Sequence, residues 1–483
     1  MAWFSPAPVT TMTDARRHRP WVLFVLAIVY VFNYIDRQVL SILQDDIKAD
    51  LRLSDFDLSL MTGLSFAAVY CIVGIPVARI ADSRGRKGVV AGSLALWSGF
   101  TVLCGLATNF WGLMLARLGV GIGEAGGSPP AHAMLSDLYE KEKRGRALAL
   151  YSCGLYLGTL LGYALGGVLS DAMNWRMAFM LVGAPGIVFA IVVWLTVREP
   201  QRGLSGGTEA APDVTFRQSF AKLWSLPAFR HYSLAAGAGL FITYGLGNWM
   251  PSFLRRSHHA WSLPEVQHAL GFCQSIVTNG VNDCVDMSQT EVGVIFGVAA
   301  GIGGAAGTLL GGYLADGKGE SDRRWFLWVP MWGKILGGPL FIASMLAPSA
   351  ELSLVFFLSA LALAAMYLGP AVAITHRLVP PGMRAMSSAV LFFIINMIGL
   401  GLGPTVVGIA SDAIRGSAQG LAGSFLGLTA ELVTQDSLKW AMILAVILMY
   451  PLSILWHTGA KRLPKGELDD NGEAMGEAAA AAT

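Results

Sequence analysis

Twelve apolar runs recur along this chain, each long enough to cross about 30 Å of hydrocarbon as a helix of about 20 residues. They lie near 21–43, 56–81, 88–107, 111–137, 147–171, 176–197, 230–254, 290–316, 325–347, 351–376, 385–413 and 436–457. The composition fits the same reading, with 54% hydrophobic and only 14% charged residues in 483, whereas a soluble domain carries about 25% charged residues. A polytopic membrane protein is expected. No small-residue cleavage site follows the first run, so that run reads as a span and not as a removed signal peptide.

The formal charge of +2 says little as a sum, but its placement is biased. Arg16, Arg17 and Arg19 of the N-terminal tail share a side with Arg84, Arg86, Lys87, Lys141, Lys143, Arg144, Arg146, Arg323, Arg324, Arg377 and Arg384. Asp45, Asp46, Asp50, Asp55 and Asp57 fall on the other side. The positive-inside rule then puts both termini in the cytoplasm of a cell-membrane protein.

Glu199 to about Pro227 is the one long break in the apolar pattern and divides the runs six and six. The expected organisation is a cytoplasmic tail 1–20, a six-helix half 21–198, a cytoplasmic linker 199–228, a second half 229–458 with an outer loop at about 255–290, and a cytoplasmic tail 459–483. The halves echo each other. "ARIADSRGRKG" ends the second run and "GYLADGKGESDRR" the eighth, setting Asp82 and Asp316 before a basic turn; "GGVLSDA" and "VGIASDA" end the fifth and eleventh, on Asp171 and Asp412. Such order implies duplicated halves of the kind that rock in transporters. Glycine rows in the fifth run (Gly154, Gly158, Gly162, Gly166), the eighth (Gly293, Gly297, Gly301) and the eleventh (Gly399, Gly403) allow close helix approach. Static packing and sliding between halves both explain them.

Of five cysteines, Cys71, Cys104 and Cys153 lie within runs as apolar filler, while Cys273 and Cys284 share the outer loop and could form a disulfide. Several motifs mislead. "GLSGG" has the spacing of a nucleophile elbow without its strand-to-helix turn; "GIGEAG" from Gly121 fits a dinucleotide fingerprint but sits inside an apolar helix. "HAMLSD", with His132 and Asp137, has an acyltransferase-like spacing at the end of a span. The eight histidines, the adjacent His258 and His259 included, form no zinc-site cluster. No catalytic residue, metal, cofactor or nucleic-acid partner is expected.

What remains is charge at membrane depth. "VFNYIDRQVL" carries Asp36 and Arg37, and "LARLGVGIGEAGG" carries Arg117 and Glu124, seven apart on one helical face. Counting from Trp21, Asp36 lies roughly 22 Å up the first span; counting from Trp111, Arg117 reaches a similar depth and Glu124 two turns deeper. Each lone charge costs about 2.5–3.5 kcal/mol to insert. A network that merely fixes helix register is the bland explanation; a proton or substrate pathway is the functional one. On the latter, an ionised Asp36 pairs with Arg117 and a protonated one releases it, whereas Arg37, about 100° further round the helix, faces another partner.

"ARIADSRGRKG" resembles the signature of the major facilitator superfamily, with Ala78 where glycine usually stands. "NYIDR", "RLGVGIGEA", "SDLY", "GYALG", "NWRMAF" and "REP" together look like the Spinster family of lipid transporters. The superfamily resemblance implies an all-α membrane protein with twelve transmembrane helices in two pseudo-symmetric six-helix halves, working by alternating access; the sequence leaves the oligomeric state open, with a monomer expected. The Spinster resemblance implies proton-coupled movement of a lysolipid or sphingolipid-like substrate through the bilayer, with Asp36 and Glu124 as proton carriers and Arg37 and Arg117 as anchors for an anionic head. Asn33, Tyr34, Tyr244, Asn248, Trp249 and Asn396 are expected to line the cavity, and Asp82, Arg84, Arg86, Lys87 and Asp316 to form a cytoplasmic gate. Rival readings are a proton-coupled carrier of a small polar metabolite or drug, a membrane-embedded lipid-modifying enzyme, and a transporter fold used as a sensor.

Overall fold

A computed structural model describes residues 8–205, 216–258, 275–278, 281–284, 287–319, 321–379, 383–417 and 436–463. Each of the twelve runs is helical. Spans one to six are Met12–Leu51, Asp55–Thr62 with Leu64–Arg84, Arg86–Gly105, Phe110–Glu124 with Ser128–Leu138, Lys141–Ala172 and Trp175–Thr196. Spans seven to nine are Pro227–Ser257, Gln289–Gly319 and Trp325–Leu346. Ala350–Ala365 with Leu368–Arg377 makes span ten, Arg384–Asn396 with Gly403–Ser417 span eleven, and Ser437–Met449 with Ile454–Lys461 span twelve.

Local chemistry sets the ends. Thr11, Asn109, Asn174 and Ser349 each accept an amide of the first turn and so satisfy a donor that the helix leaves open. Span one is 40 residues long and stops where Arg52 turns left-handed at φ 54°, its amide bonded back to the Lys48 carbonyl. Two residues later Ser54 and Asp57 form a reciprocal capping box that starts span two. Breaks lie at Gly63, at 125–127 and at 366–367, while span eleven passes through a π turn at Met397–Leu402 and span twelve through a 3-10 turn at Tyr450–Ser453.

The chain forms two compact units, Met1–Thr208 with Asn248–Gly301, and Glu209–Gly247 with Ile302–Thr483. In the first, the glycine row of span five packs on span one: a methyl group on Gly158 would stand 2.6 Å from the Val31 carbonyl, and one on Gly154 2.8 Å from that of Ala27. Gly297 and Gly301 of span eight lie against Leu160 and Tyr156 of span five. These rows serve close backbone approach, as small residues do where lipid removes the hydrophobic drive. In the second unit Gly399 and Gly403 pack on Leu240 and Phe241 of span seven. Its core centres on Phe229, Tyr232, Phe326 and Trp456.

Part of the linker is itself structured. Phe216–Ser225 is an amphipathic helix of the second unit, with Phe216 edge-on to Phe393 of span eleven at 5.6 Å. At the other end Val9 bridges Pro200, and Arg198 pairs with Asp14 at 2.7 Å, tying the N-terminal tail to the end of span six. Strands β1 (Ser275–Thr278) and β2 (Val281–Cys284) pair antiparallel, with Ser275 opposite Cys284. Cys273 and the Cys284 side chain lie outside the described residues, and the expected disulfide with them; Cys71, Cys104 and Cys153 are free thiols.

Candidate functional site

Spans one, two, three and four of the first unit bring the buried charges together. Asp36, Arg117 and Glu124 are 1%, 2% and 1% exposed, with Asn33 and Tyr34 buried beside them. Arg37 Nε donates to Glu124 Oε2 at 2.5 Å. The guanidinium also lies over Tyr34, Phe66 and Tyr70 at 4.9–5.3 Å, a cation held by aromatic faces. Tyr30 extends that wall, edge-on to Tyr34 and stacked on Tyr151, which in turn meets His132.

The expected Asp36–Arg117 ion pair is replaced by a different contact. Arg117 Nη1 donates to the backbone carbonyl of Asp36 at 3.2 Å, and its guanidinium lies over Phe66. The Asp36 carboxyl turns toward Thr101 and Trp97 of span three, but the Thr101 hydroxyl is engaged with the Trp97 carbonyl at 3.0 Å. Neither Asp36 carboxyl oxygen has a hydrogen-bond partner, nor has Glu124 Oε1. The reason lies in the step round the helix: Arg37, not Asp36, points at the line of Glu124, so the salt bridge joins those two. Three buried carboxyl oxygens are thereby left with acceptor capacity for a proton or a donor group on a ligand.

The glycines of "GIGEAGG" make this possible. A methyl group on Gly123 would stand 2.6 Å from the Trp97 amide, and one on Gly121 3.3 Å from Phe66. Span four therefore lies flush on spans two and three, which carries Glu124 to Arg37. Only small side chains permit it.

A second cluster sits at the far end of span one, and sequence reasoning read its acids only as topology signals. Arg256 of span seven bonds Asp45 at 2.6 Å and Asp55 at 3.1 Å, while Lys48 also pairs with Asp55. Arg255 reaches Asp46 at 3.4 Å, which accepts the Ser170 hydroxyl at 2.9 Å. One turn nearer the midplane, Gln44 donates to Ser252 at 2.6 Å and to the Asn248 carbonyl at 3.1 Å, and Ser41 donates to Asn248 Oδ1 at 2.6 Å. Asp171 accepts the amides of Gln289 and Thr290, the first residues of span eight. Spans seven and eight are thus latched to spans one and five at this end.

The family model described as Major Facilitator Superfamily matches residues 26–282. The chain belongs to that superfamily. It is 33% identical over 437 residues to an "MFS-type efflux pump" of Mycolicibacterium smegmatis, covering 89% of this chain and 94% of that one. "Protein spinster homolog 1" of Homo sapiens is 26% identical over 404 residues, covering 82% and 73%. The crystal structure of a bacterial homolog to the human lysosomal transporter Spinster, in an inward-facing and unoccupied conformation, aligns at a TM-score of 0.77 with 29% identity, covering 92% of this chain and 97% of that one. The fold is that of a facilitator resembling Spinster, and these relatives are transporters, not enzymes.

In the facilitator signature turn, Gly85 adopts φ 105°, a backbone state that favours glycine. The next amides, Arg86 and Lys87, both bond the Glu199 carboxylate, at 2.9 and 2.7 Å, an anion at a helix N-terminus. Arg86 pairs with Asp137 of the "SDLY" segment, Asp137 also takes the Gly203 amide, and Lys87 lies over Trp194. Asp137 and Glu199 are the partners the sequence left unassigned. The side chains of Asp82 and Arg84 lie outside the described residues, and Asp316 is exposed at the end of span eight. Of the residues expected to line a cavity, Trp249 is fully buried under Arg256 and Asn248 belongs to the latch. Tyr244 and Asn396 are half-buried in the second unit.

Proposed function

We propose that this chain is a proton-coupled secondary transporter that moves a lysolipid or sphingolipid-like amphipathic molecule by alternating access, as a monomer in the cell membrane with both termini cytoplasmic. One observation carries the reading: an acid, Asp36, is buried at membrane depth without a donor, beside an arginine that is already paired. An ionised carboxylate in that position is costly, and protonation removes the cost. Asp36 is the proton acceptor, and Glu124 the acid whose pairing follows. Arg37, in its aromatic cage, and Arg117 are the anchors for an anionic head; aromatic rings beside buried cations suit an amphipath. The likeness to Spinster supports this substrate class.

The 33% identity to a protein named as an efflux pump favours a second reading, proton-driven export of a small polar metabolite or drug. Purified protein in proteoliposomes, given a pH gradient and a panel of lysolipids, sphingoid phosphates and small polar solutes, separates the two. Gradient-dependent uptake of a lysolipid or sphingoid phosphate is the expected result. Movement of small solutes alone would overturn the substrate assignment, and movement indifferent to the gradient would overturn the coupling.

A further inference from the structure

Lys334 is the sole charged side chain among the described residues of the second unit that lies more than two turns from a helix end. It stands nine residues into span nine, about 14 Å along the helix at 1.5 Å per residue and so near the middle of the hydrocarbon. It is 7% exposed. Its ammonium donates to the Ala364 carbonyl at 2.9 Å, lies 5.2 Å from the ring centre of Tyr367, and rests against Gly239 of span seven, where a methyl group would stand 2.8 Å from Nζ. Gly333 and Gly337 let spans nine and ten approach closely enough for this contact.

No carboxylate faces Lys334 from any described element packed on it. Span seven offers Ala235, Gly239 and Ile242 to the cleft around it; span ten offers Ala364 and the Tyr367 ring; span twelve offers Ser453 and Tyr450, whose hydroxyl donates to the Ile335 carbonyl. A charge of this kind is expensive at the membrane midplane and more often functional than decorative.

The internal repeat gives the contact its meaning. A shift of 240 residues carries the helix cap Asn109 onto Ser349, Glu124 onto Ala364, and Ser128, where span four resumes, onto Leu368, where span ten resumes. It also carries Pro130 onto Pro370, each the third residue of the resumed helix and each lacking the N–H that would bond the carbonyl four residues back, at Gly126 or Met366. Both units therefore break their fourth helix at the same place, and at the same register a buried cation meets the last turn before the break. In span four it is Arg37 on the Glu124 carboxylate; in span ten it is Lys334 on the Ala364 carbonyl.

We propose that Lys334 is a second proton-exchanging residue of the transport cycle, a positioning residue that holds span ten in its broken form while charged and lets the break close when it gives up its proton. The charged form makes a charge-assisted bond to the carbonyl, roughly twice as strong as a neutral one. Loss of the proton from Nζ to water leaves a neutral amine, a weaker donor whose hold on the Ala364 carbonyl loosens, so that this carbonyl can turn back to the Leu368 amide four residues on and restore that bond of the helix. This goes beyond the assignment of Asp36 and rests on the transporter reading only for its consequence in the cycle, not for the switch itself.

The switch can be read without substrate. Amide exchange in the segment Met366–Gly369 is measured by mass spectrometry on the full chain in nanodiscs, corrected for intrinsic rates, across the neutral-to-alkaline range. Wild-type protein is expected to slow by roughly tenfold on deprotonation, the size of effect that closing a local opening produces. Lys334→Met should be slow at every pH and Lys334→Arg fast at every pH, with gradient-driven transport reduced in both. Exchange that is the same in wild type and Lys334→Met, or independent of pH in wild type, overturns the proposal whatever the transport assay gives. If Lys334→Met does not fold, the wild-type series and Lys334→Arg decide alone. Normal switching in a protein that transports nothing in the panel would instead count against the proposed function.

Discussion

Asp36 and Arg37 are neighbours in sequence with separate tasks, because one residue of helix turns a side chain by about 100°. Arg37 is committed to Glu124, and Asp36 is committed to no side chain. Asp36→Asn, which imitates the protonated acid, should abolish gradient-driven uptake while the protein folds and inserts normally; full pH-dependent uptake in that variant would leave Glu124 as the proton-accepting acid of the first unit. The Arg37–Glu124 pair predicts a different pattern. Removing one partner strands a buried charge, so Arg37→Met should cost about 3–5 kcal/mol of stability, whereas Arg37→Met with Glu124→Met should recover most of it. Thermal unfolding in detergent reads the stability and uptake reads the function; the double variant should be stable and inactive. A stable, active double variant would reduce the pair to a register device. The depths of these residues were legible from helical rise alone, which correctly brought Asp36 level with Arg117. The partners were not, since two arginines and two acids at one level can pair in more than one way, and the choice is made by how closely spans three and four approach.

That approach belongs to the scale of the element, where glycine decides. Gly158→Val should destabilise by about 1–3 kcal/mol or more, because its Cβ would press on the Val31 carbonyl of span one, whereas Gly99→Val, with open space around it, should be near neutral. Equal melting temperatures for the two variants would show that span five has room to retreat. The same reasoning explains why "GIGEAG" resembled a cofactor loop: its glycines serve close approach, as in a nucleotide fingerprint, but to Phe66 of span two and to the Trp97 backbone and Ser93 of span three and not to a phosphate. The spans themselves were legible because length and apolarity are local properties. The breaks in spans four and ten were not read, although Gly126, Gly127, Pro129, Pro130 and Pro370 mark them. Proline and glycine inside a membrane helix are tolerated wherever neighbours re-satisfy the freed backbone, so their effect depends on partners such as Lys334 that lie 30 residues away in the chain. The linker helix Phe216–Ser225 was missed for the same reason, its apolar face having meaning only against Phe393.

For the whole molecule, the acids at the end of span one and the start of span two carry more than topology, and they lie on helices and not in the loop expected from the sequence. Asp45, Asp46 and Asp55 obey the positive-inside pattern, yet the structure spends them on Arg255 and Arg256, with Gln44 and Ser41 continuing the contact inward to Ser252 and Asn248. Exposed ion pairs are worth little singly, but a network in which Asp55 is fully buried holds two helices in one arrangement. In the proposed alternating-access cycle these bonds would break once per turnover if spans one and seven part at this end, and they would then have to be strong enough to favour one state and weak enough to yield. Covalent replacement tests this directly. With the native cysteines replaced, Gln44→Cys and Ser252→Cys put one thiol on each side of the Gln44–Ser252 contact, where oxidation traps a disulfide whenever the two helices come within its geometry. Oxidation should stop transport, and reduction should restore it, with cross-link formation followed by gel shift after protease cleavage between the two sites. Arg256→Ala should act in the opposite sense, withdrawing the guanidinium from Asp45 and Asp55 and raising the reactivity of a single thiol at Gln44→Cys toward a water-soluble reagent. Undiminished transport through the cross-linked protein would mean that spans one and seven never part at this end, and alternating access would then have to be driven from another pair of helices.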